Sequence, residues 1–215
     1  MDTSNKNMAI KEGSDNPLAE IKPPRLPKQY TLGEYLRREE SGQEKHEFIN
    51  GIIAPIPMAK GPHNIITMNV GSALKQVLKA NPKKYIVFSN SQKIYLPELN
   101  IGLYPDVLVV CEQPVYWDEG ELLLTNPLLI VEVLSQSTRH YDRGNKFSYY
   151  KRLPSFQEYV LIAQNHCEVE TWYREEPDLW RTNTVKDRTS TLPLRSVDCA
   201  LQMADIYEHV IVKST

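Results

Sequence analysis

Two apolar runs in this chain each carry one carboxylate where no neighbouring position is polar. In LLIVEVL, residues 128–134, the acid is Glu132; in YPDVLVV, residues 104–110, it is Asp106. Side chains along a strand alternate between faces, so Glu132 points the same way as Ile130 and Leu134, and Asp106 the same way as Leu108 and Val110. A buried carboxylate without a partner is costly and either protonates or finds a cation. Two of them on neighbouring strands repel each other unless a cation stands between them. Carboxylate oxygens and water suit a hard ion such as Mg2+, and no His/Cys cluster has the spacing of a zinc site. A third element follows Glu132. In DRGNKFSYY, residues 142–150, helical spacing sets Asp142, Lys146 and Tyr150 on one face. A lysine beside such acids could orient or help deprotonate a water, or stabilise charge growing on a phosphate. Acids, a hard cation and a lysine together serve metal-assisted phosphodiester hydrolysis.

These groups need a framework, and the flanking patterns supply one. Thr31 and Glu34 have capping-box spacing ahead of a short helix with Leu32 and Leu36 on its apolar stripe, ending near Ser41-Gly42. HEFINGIIAPIPM, residues 46–58, reads as two short strands hinged at Asn50-Gly51. A long helix over about residues 63–80 lines up Ile66, Val70, Ala73, Leu74, Val77 and Leu78 before Asn81-Pro82 stops it. Strands are expected at 84–89, 92–96 and 104–111, then a loop through Thr125, then the Glu132 strand. Ser135, Ser137 and Thr138 have the chemistry to cap the helix that follows. Two more strands, 158–163 and 167–174, precede a tail that holds a short closing helix, and the second strand has one wet face. Several strands and two principal helices predict an α/β or α+β domain around one mixed sheet.

The chain of 215 residues suits one domain, read here as residues 28–215 behind a polar, proline-containing leader over 1–27. Deleting that leader is expected to leave the melting temperature nearly unchanged. A drop of many degrees would show that it packs on the core or on a partner subunit. A net charge of −2 gives no global basic footprint, which leaves a local groove as the only route to nucleic acid. Three scattered cysteines, no signal-peptide pattern and no apolar run of membrane-spanning length point to the cytoplasm and away from a membrane.

YPDVLVV, LIVEVLSQST, DRGNKFSYY and FQEYVLI, in that order, resemble the Uma2 family of restriction-endonuclease-like proteins. HEFINGIIAPIPMAKGPH resembles that family's leading Glu, the Gly four residues on and the later His. The similarity runs from about Tyr30 to the tail. It implies the PD-(D/E)xK nuclease fold, a restriction endonuclease-like mixed central sheet flanked by helices, and an endonuclease that cuts DNA with Mg2+, or with Mn2+ in its place. By position Asp106 resembles the PD aspartate, Glu132 the second acid, and Glu47 an additional acid, so these three are the expected metal ligands. The parent pattern sets a lysine two residues after the second acid, where this chain has Leu134; the resemblance implies that Lys146 supplies it from the following helix. Gln136 stands where the family often has proline, a change confined to a loop.

Each residue also has a plainer role. Glu132 is otherwise a structural buried acid, and Asp106 a turn residue after Pro105. Asp142 and Lys146 form a surface pair worth about 0.3–0.5 kcal/mol, and Glu47 pairs with Lys45. His63 either starts its helix or touches the site, as supporting residues Asp142 and Tyr150 would. Arg139 and Arg143, with Lys151 and Arg152, make either a solvated face or phosphate contacts. The alternative function is a nucleic-acid-binding or regulatory module with little or no catalysis. A homodimer is the simplest way for one active site per chain to cut two strands.

Overall fold

The structure is a computed structural model and describes residues 28–212; the leader over 1–27 lies outside them. The capping box forms: the Glu34 amide donates to Thr31 Oγ1 at 3.2 Å, and the Thr31 amide donates to Glu34 Oε2 at 2.8 Å. Helix α1, Leu32–Ser41, buries Tyr35 rather than Leu32 or Leu36, which are half-buried. Tyr35 stacks on Phe48 at 5.0 Å and donates to the carbonyl of His46 at 2.7 Å, which fixes α1 to the next element. Strands β1, His46–Ile49, and β2, Ile52–Pro55, form the expected hairpin. Asn50 and Gly51 take the positive φ values, 46° and 88°, that a two-residue turn of this hand requires.

Helix α2, Gly61–Leu78, buries Ile66, Val70, Leu74 and Leu78, one residue per turn along one stripe. Strands β3, Tyr85–Ser89, β4, Lys93–Leu96, β5, Ile101–Leu103, and β6, Val107–Cys111, lead to the two-residue β7, Leu123–Leu124, and to β8, Leu129–Leu134. Three consecutive helical segments, Arg139–Tyr141, Asp142–Lys146 and Phe147–Tyr150, make up α3, and the middle one is a π-turn. Strands β9, Glu158–Ala163, β10, Val169–Glu176, β11, Leu179–Val185, β12, Thr191–Leu194, and β13, Cys199–Gln202, precede the short α4, Met203–Ile206.

The strands form a mixed six-stranded sheet in the order β11-β10-β9-β8-β6-β3, parallel only between β8 and β9. A second, five-stranded sheet runs β2-β1-β5-β4-β7, and β12 pairs with β13 apart from both. Val107, Val109, Leu129, Val131 and Val133 face α2 and the C-terminal segment. The alternate residues Leu108, Val110, Ile130 and Leu134 face the five-stranded sheet and Tyr150 of α3. The expected mixed α+β architecture is therefore present, with a second sheet covering the face that carries Glu132.

Several stretches differ from the sequence expectation. Residues 101–103 and 123–124 are strands inside what reads as irregular chain, and residues 179–202 hold three strands, of which Leu179–Val185 has no apolar alternation to announce it. The closing helix shrinks to the four residues of α4, because Cys199–Gln202 pairs with β12 instead. In β10 only Val169 and Thr171 are buried, so the wet face expected there is real and wide.

Candidate active site

The period of two that made Glu132 and Asp106 conspicuous also brings them together. In the β6–β8 ladder Val107 stands opposite Val131 and Leu108 opposite Ile130, so the next rung sets Asp106 across from Glu132 on the same face. Asp106 sits just before β6, and its Oδ2 accepts the Val133 amide of β8 at 2.7 Å. His63, in the first turn of α2, brings Nε2 to 3.2 Å from that same oxygen, and its Nδ1 lies 3.5 Å from Thr67 Oγ1 one turn further on.

Glu132 is 3% exposed. Its Oε1 accepts from Lys146 Nζ at 3.1 Å and from the Tyr150 hydroxyl at 3.0 Å. The same ammonium lies 3.4 Å from Glu47 Oε1 and 3.5 Å from Asp142 Oδ1, so it stands where three carboxylates meet. Glu47 reaches this point because Phe48 beside it faces α1, which turns Glu47 to the opposite side of β1. Tyr141 donates to Glu47 Oε2 at 2.8 Å, and the Tyr159 hydroxyl donates to the Asp142 carbonyl at 3.0 Å, which ties α3 to β9. The π-turn spans Asp142–Lys146, and such turns recur where a helix must present side chains for function.

Electrostatics follow burial. Desolvation pushes the Glu132 carboxyl well above the usual carboxylate range, outweighing the pull of Lys146. Desolvation likewise raises Asp142 against the opposing effect of Lys146. For Lys146, burial acts downward, but Glu132, Glu47, Asp142 and Asp106 override it and hold the ammonium well above its ordinary value. Burial raises the Tyr150 phenol too, so it acts as a donor to Glu132.

Among the described residues no three His, Cys, Asp or Glu side chains are gathered as a preformed metal cage. The donor chemistry nevertheless fits a hard divalent cation. Asp106 and Glu132 share a face of adjacent strands, and among the described residues no hydrogen bond engages Asp106 Oδ1 or Glu132 Oε2. Asp106, Glu132, Asp142, Lys146 and His63 line one cleft of about 1150 Å3.

Of the residues singled out by sequence, Asp106, Glu132, Lys146, Glu47, His63, Asp142 and Tyr150 meet here. The plainer alternatives fail for three of them. Lys45 donates to the Asn90 carbonyl at 2.8 Å instead of pairing with Glu47, and Asp142 and Lys146 are buried rather than a surface pair. Arg139 is exposed on the cleft wall, whereas Arg143 is ion-paired with Glu170. Two contributors escaped the sequence. Tyr141 gave no signal, and Thr67 is visible only as the position one helical turn after His63.

The mixed sheet thus carries Asp106 and Glu132 into the cleft on adjacent strands, and Lys146 reaches them from the helix that follows. The chain belongs to the Uma2 family, whose model, described as "Putative restriction endonuclease", matches residues 32–204. An uncharacterized protein of Synechocystis sp., sll1609, is 39% identical over 150 residues, which cover 70% of this chain and 84% of that one. A second from the same organism, slr1290, is 28% identical over 174 residues, covering 81% and 89%. The crystal structure of a "putative nuclease belonging to DUF820" from Anabaena variabilis shares the fold, with a TM-score of 0.64 at 20% identity over 82% of this chain and 97% of that one. Among the described residues no helix is long and apolar enough to cross a membrane.

Proposed function

We propose that the chain is a metal-dependent endonuclease that hydrolyses phosphodiester bonds of DNA in the cytoplasm. The observation that carries this reading is Lys146, a buried ammonium bonded to Glu132, on the strand next to Asp106, in an open cleft. Asp106 and Glu132 would hold Mg2+, or Mn2+ in its place, with Glu47 as a further oxygen donor. When bound, such a cation neutralises phosphate charge and acidifies water. The protein's own groups do the rest. The Val133 amide and His63 orient Asp106, Tyr150 orients Glu132, and Tyr141 orients Glu47. Lys146, bonded to Glu132 at 3.1 Å, would orient the attacking water or act as a donor to the phosphate and a counter-charge in the transition state. Arg139 supplies a phosphate contact at the rim, and Arg143 does so only after leaving Glu170. Two copies, one per strand, complete a double-strand cut.

A binding or regulatory module on the same fold is the rival function, and Lys146 also favours it, since its ammonium already neutralises the acids that a metal would. Nuclease assays on plasmid and oligonucleotide substrates with Mg2+ or Mn2+ separate the two. Wild type is expected to cut, and Glu132→Ala to cut at least about a hundredfold more slowly. Binding without cutting by wild type would establish the rival.

A further inference from the structure

Acidic residues are missing from one long stretch of this chain. Residues 48–97 hold Lys60, Lys75, Lys79, Lys83, Lys84 and Lys93 and no Asp, Glu or Arg, although an even spread of the chain's 27 acids would put about six there. A protein with a net charge of −2 therefore gathers positive charge on one segment. Lys93 is buried, and the other five lysines are exposed. Among the described residues none of the five has a carboxylate within 4.0 Å. Lys60 is the N-cap residue of α2 and lines the cleft with His63 and Asp106. Lys75 lies in the last turn of α2 and Lys79 caps it, while Lys83 and Lys84 lead into β3. Between the two ends the exposed face of the helix is uncharged, with Asn64, Ile65, Met68 and Ser72.

Helix stability does not explain this arrangement. Lysine at a C-terminal end suits the helix dipole, which accounts for Lys75 and Lys79 taken singly. Lys60 stands at the positive end, where the same dipole disfavours it, and the first turn carries no acid. Lys75 and Lys79 are four residues apart, a like-charge spacing that opposes the helix, and Gly71 rather than an acid precedes Lys75 by the same step. Glu112 and Glu208 border the helix through main-chain contacts. The Glu112 amide donates to the Lys84 carbonyl at 2.7 Å, and Asn69 Nδ2 donates to the Glu208 carbonyl at 2.9 Å. Positive charge kept against local preference, and without partners in the protein, fits a polyanion lying along the helix.

We propose that the solvent face of α2, from Lys60 at the cleft to Lys84, carries the phosphate backbone of duplex DNA that runs on beyond the cut phosphate. The assignment rests on the nuclease reading for the identity of its ligand. At 1.5 Å per residue the 18 residues of α2 span about 27 Å, and a duplex advances about 3.4 Å per base pair, so the far lysines meet the backbone about 7–8 base pairs from the cleft. Contacts of this kind fix the course of the duplex without reading its sequence.

Duplex binding without divalent metal, followed over a range of salt, tests the track with two lengths of DNA. A duplex of about 30 base pairs reaches the far lysines from a phosphate in the cleft, whereas one of about 10, held at its middle, ends short of Lys75. The variant Lys75→Gln/Lys79→Gln/Lys83→Gln/Lys84→Gln should bind the long duplex at least about tenfold more weakly at roughly 0.1 M salt. Its slope of log affinity against log salt should shrink by about 2–4. The short duplex should bind, and be cut with Mg2+, as by wild type. Arginine at the same four positions should restore long-duplex affinity and slope. Should the helix substitutions lower the melting temperature, Lys83→Gln/Lys84→Gln, outside α2, gives a second arm with about half the change in slope. Wild-type affinity and slope of the fourfold variant on the long duplex would overturn the track and leave the nuclease reading standing. Equal losses on both lengths would do the same, since the lysines would then act as a general field and not as a located contact. Loss by the variant of binding to vesicles containing phosphatidylserine, with DNA binding unchanged, would overturn nucleic acid as the partner. A wild type that neither binds nor cuts DNA would overturn both readings.

Discussion

Lys146→Ala is expected to melt about 6–20 °C below wild type at neutral pH without added metal. Removing one partner of a buried ionic cluster costs about 3–5 kcal/mol, and each kcal/mol moves the melting temperature of a domain of this size by about 2–4 °C. The loss is large because one ammonium serves Glu132, Glu47 and Asp142 together. Its dependence on pH has a definite sign. Glu132 and Asp142 already titrate above their ordinary values of 4.5 and 3.8, and without Lys146 they rise further. A raised carboxyl pKa contributes stability that is full below the ordinary value and is lost as pH rises through the folded-state value. The variant should therefore approach wild type near pH 4 and fall away from it toward neutrality. Wild type keeps the compensating contribution of Lys146, whose own raised pKa holds it in place until pH exceeds the ordinary lysine value of 10.5. Melts across pH 4 to pH 8 measure the gap. A constant gap, or one within about 2 °C at neutral pH, would mean that the ammonium is a solvated rim charge.

The acids and the lysine were legible for different reasons. Glu132 and Asp106 stand out because a charge inside a period-two apolar run has no neutral explanation, and the ladder keeps that period. Lys146 is legible in the residues as a neighbour of Asp142 and Tyr150 on a helix, and as a site residue through the family resemblance. Its burial depends on how α3 lies across β8 and β9, which no local pattern encodes. Glu47 is harder still, because it comes from a separate sheet whose pairing, β1 with β5 and β5 with β4, joins residues far apart in sequence. Tyr141 was invisible: an α-helical wheel does not describe a segment that runs into a π-turn. Strand β11 has a plain reason for giving no signal. Leu179–Val185 is an edge strand with mostly exposed side chains, so Arg181, Thr182, Asn183 and Thr184 show no apolar alternation. At α1 the capping box forms as its spacing predicts, while the buried residue lies off the Leu32/Leu36 stripe. Tyr35 wins over Leu32 and Leu36 because its ring stacks on Phe48 and its hydroxyl finds the His46 carbonyl.

Mg2+ should raise the melting temperature of Lys146→Ala by more than it raises that of wild type, and should barely move Glu132→Gln. A ligand that binds only the folded state stabilises it by about 2.7 kcal/mol at a hundred times its Kd, or about 5–11 °C here. In wild type part of that gain is cancelled, because a cation entering among Asp106, Glu132 and Glu47 meets an ammonium already holding two of the three. Lys146→Ala removes the competitor and leaves the carboxylates repelling one another, so the metal relieves a strain that wild type does not have. Glu132→Gln acts in the opposite direction. It keeps a carbonyl oxygen for the Tyr150 hydroxyl and removes one buried charge, so the apo protein loses repulsion and the metal loses a ligand. The two variants bracket wild type from opposite sides only if Glu132 and Lys146 act on one shared cation position. Lys146→Ala is also expected to lose nuclease activity despite its stronger metal response, because the donor to the phosphate is gone while the metal site remains. Equal shifts in all three proteins would separate the acids from any metal and leave Lys146 as their permanent counter-ion, the arrangement expected of a binding module rather than a nuclease.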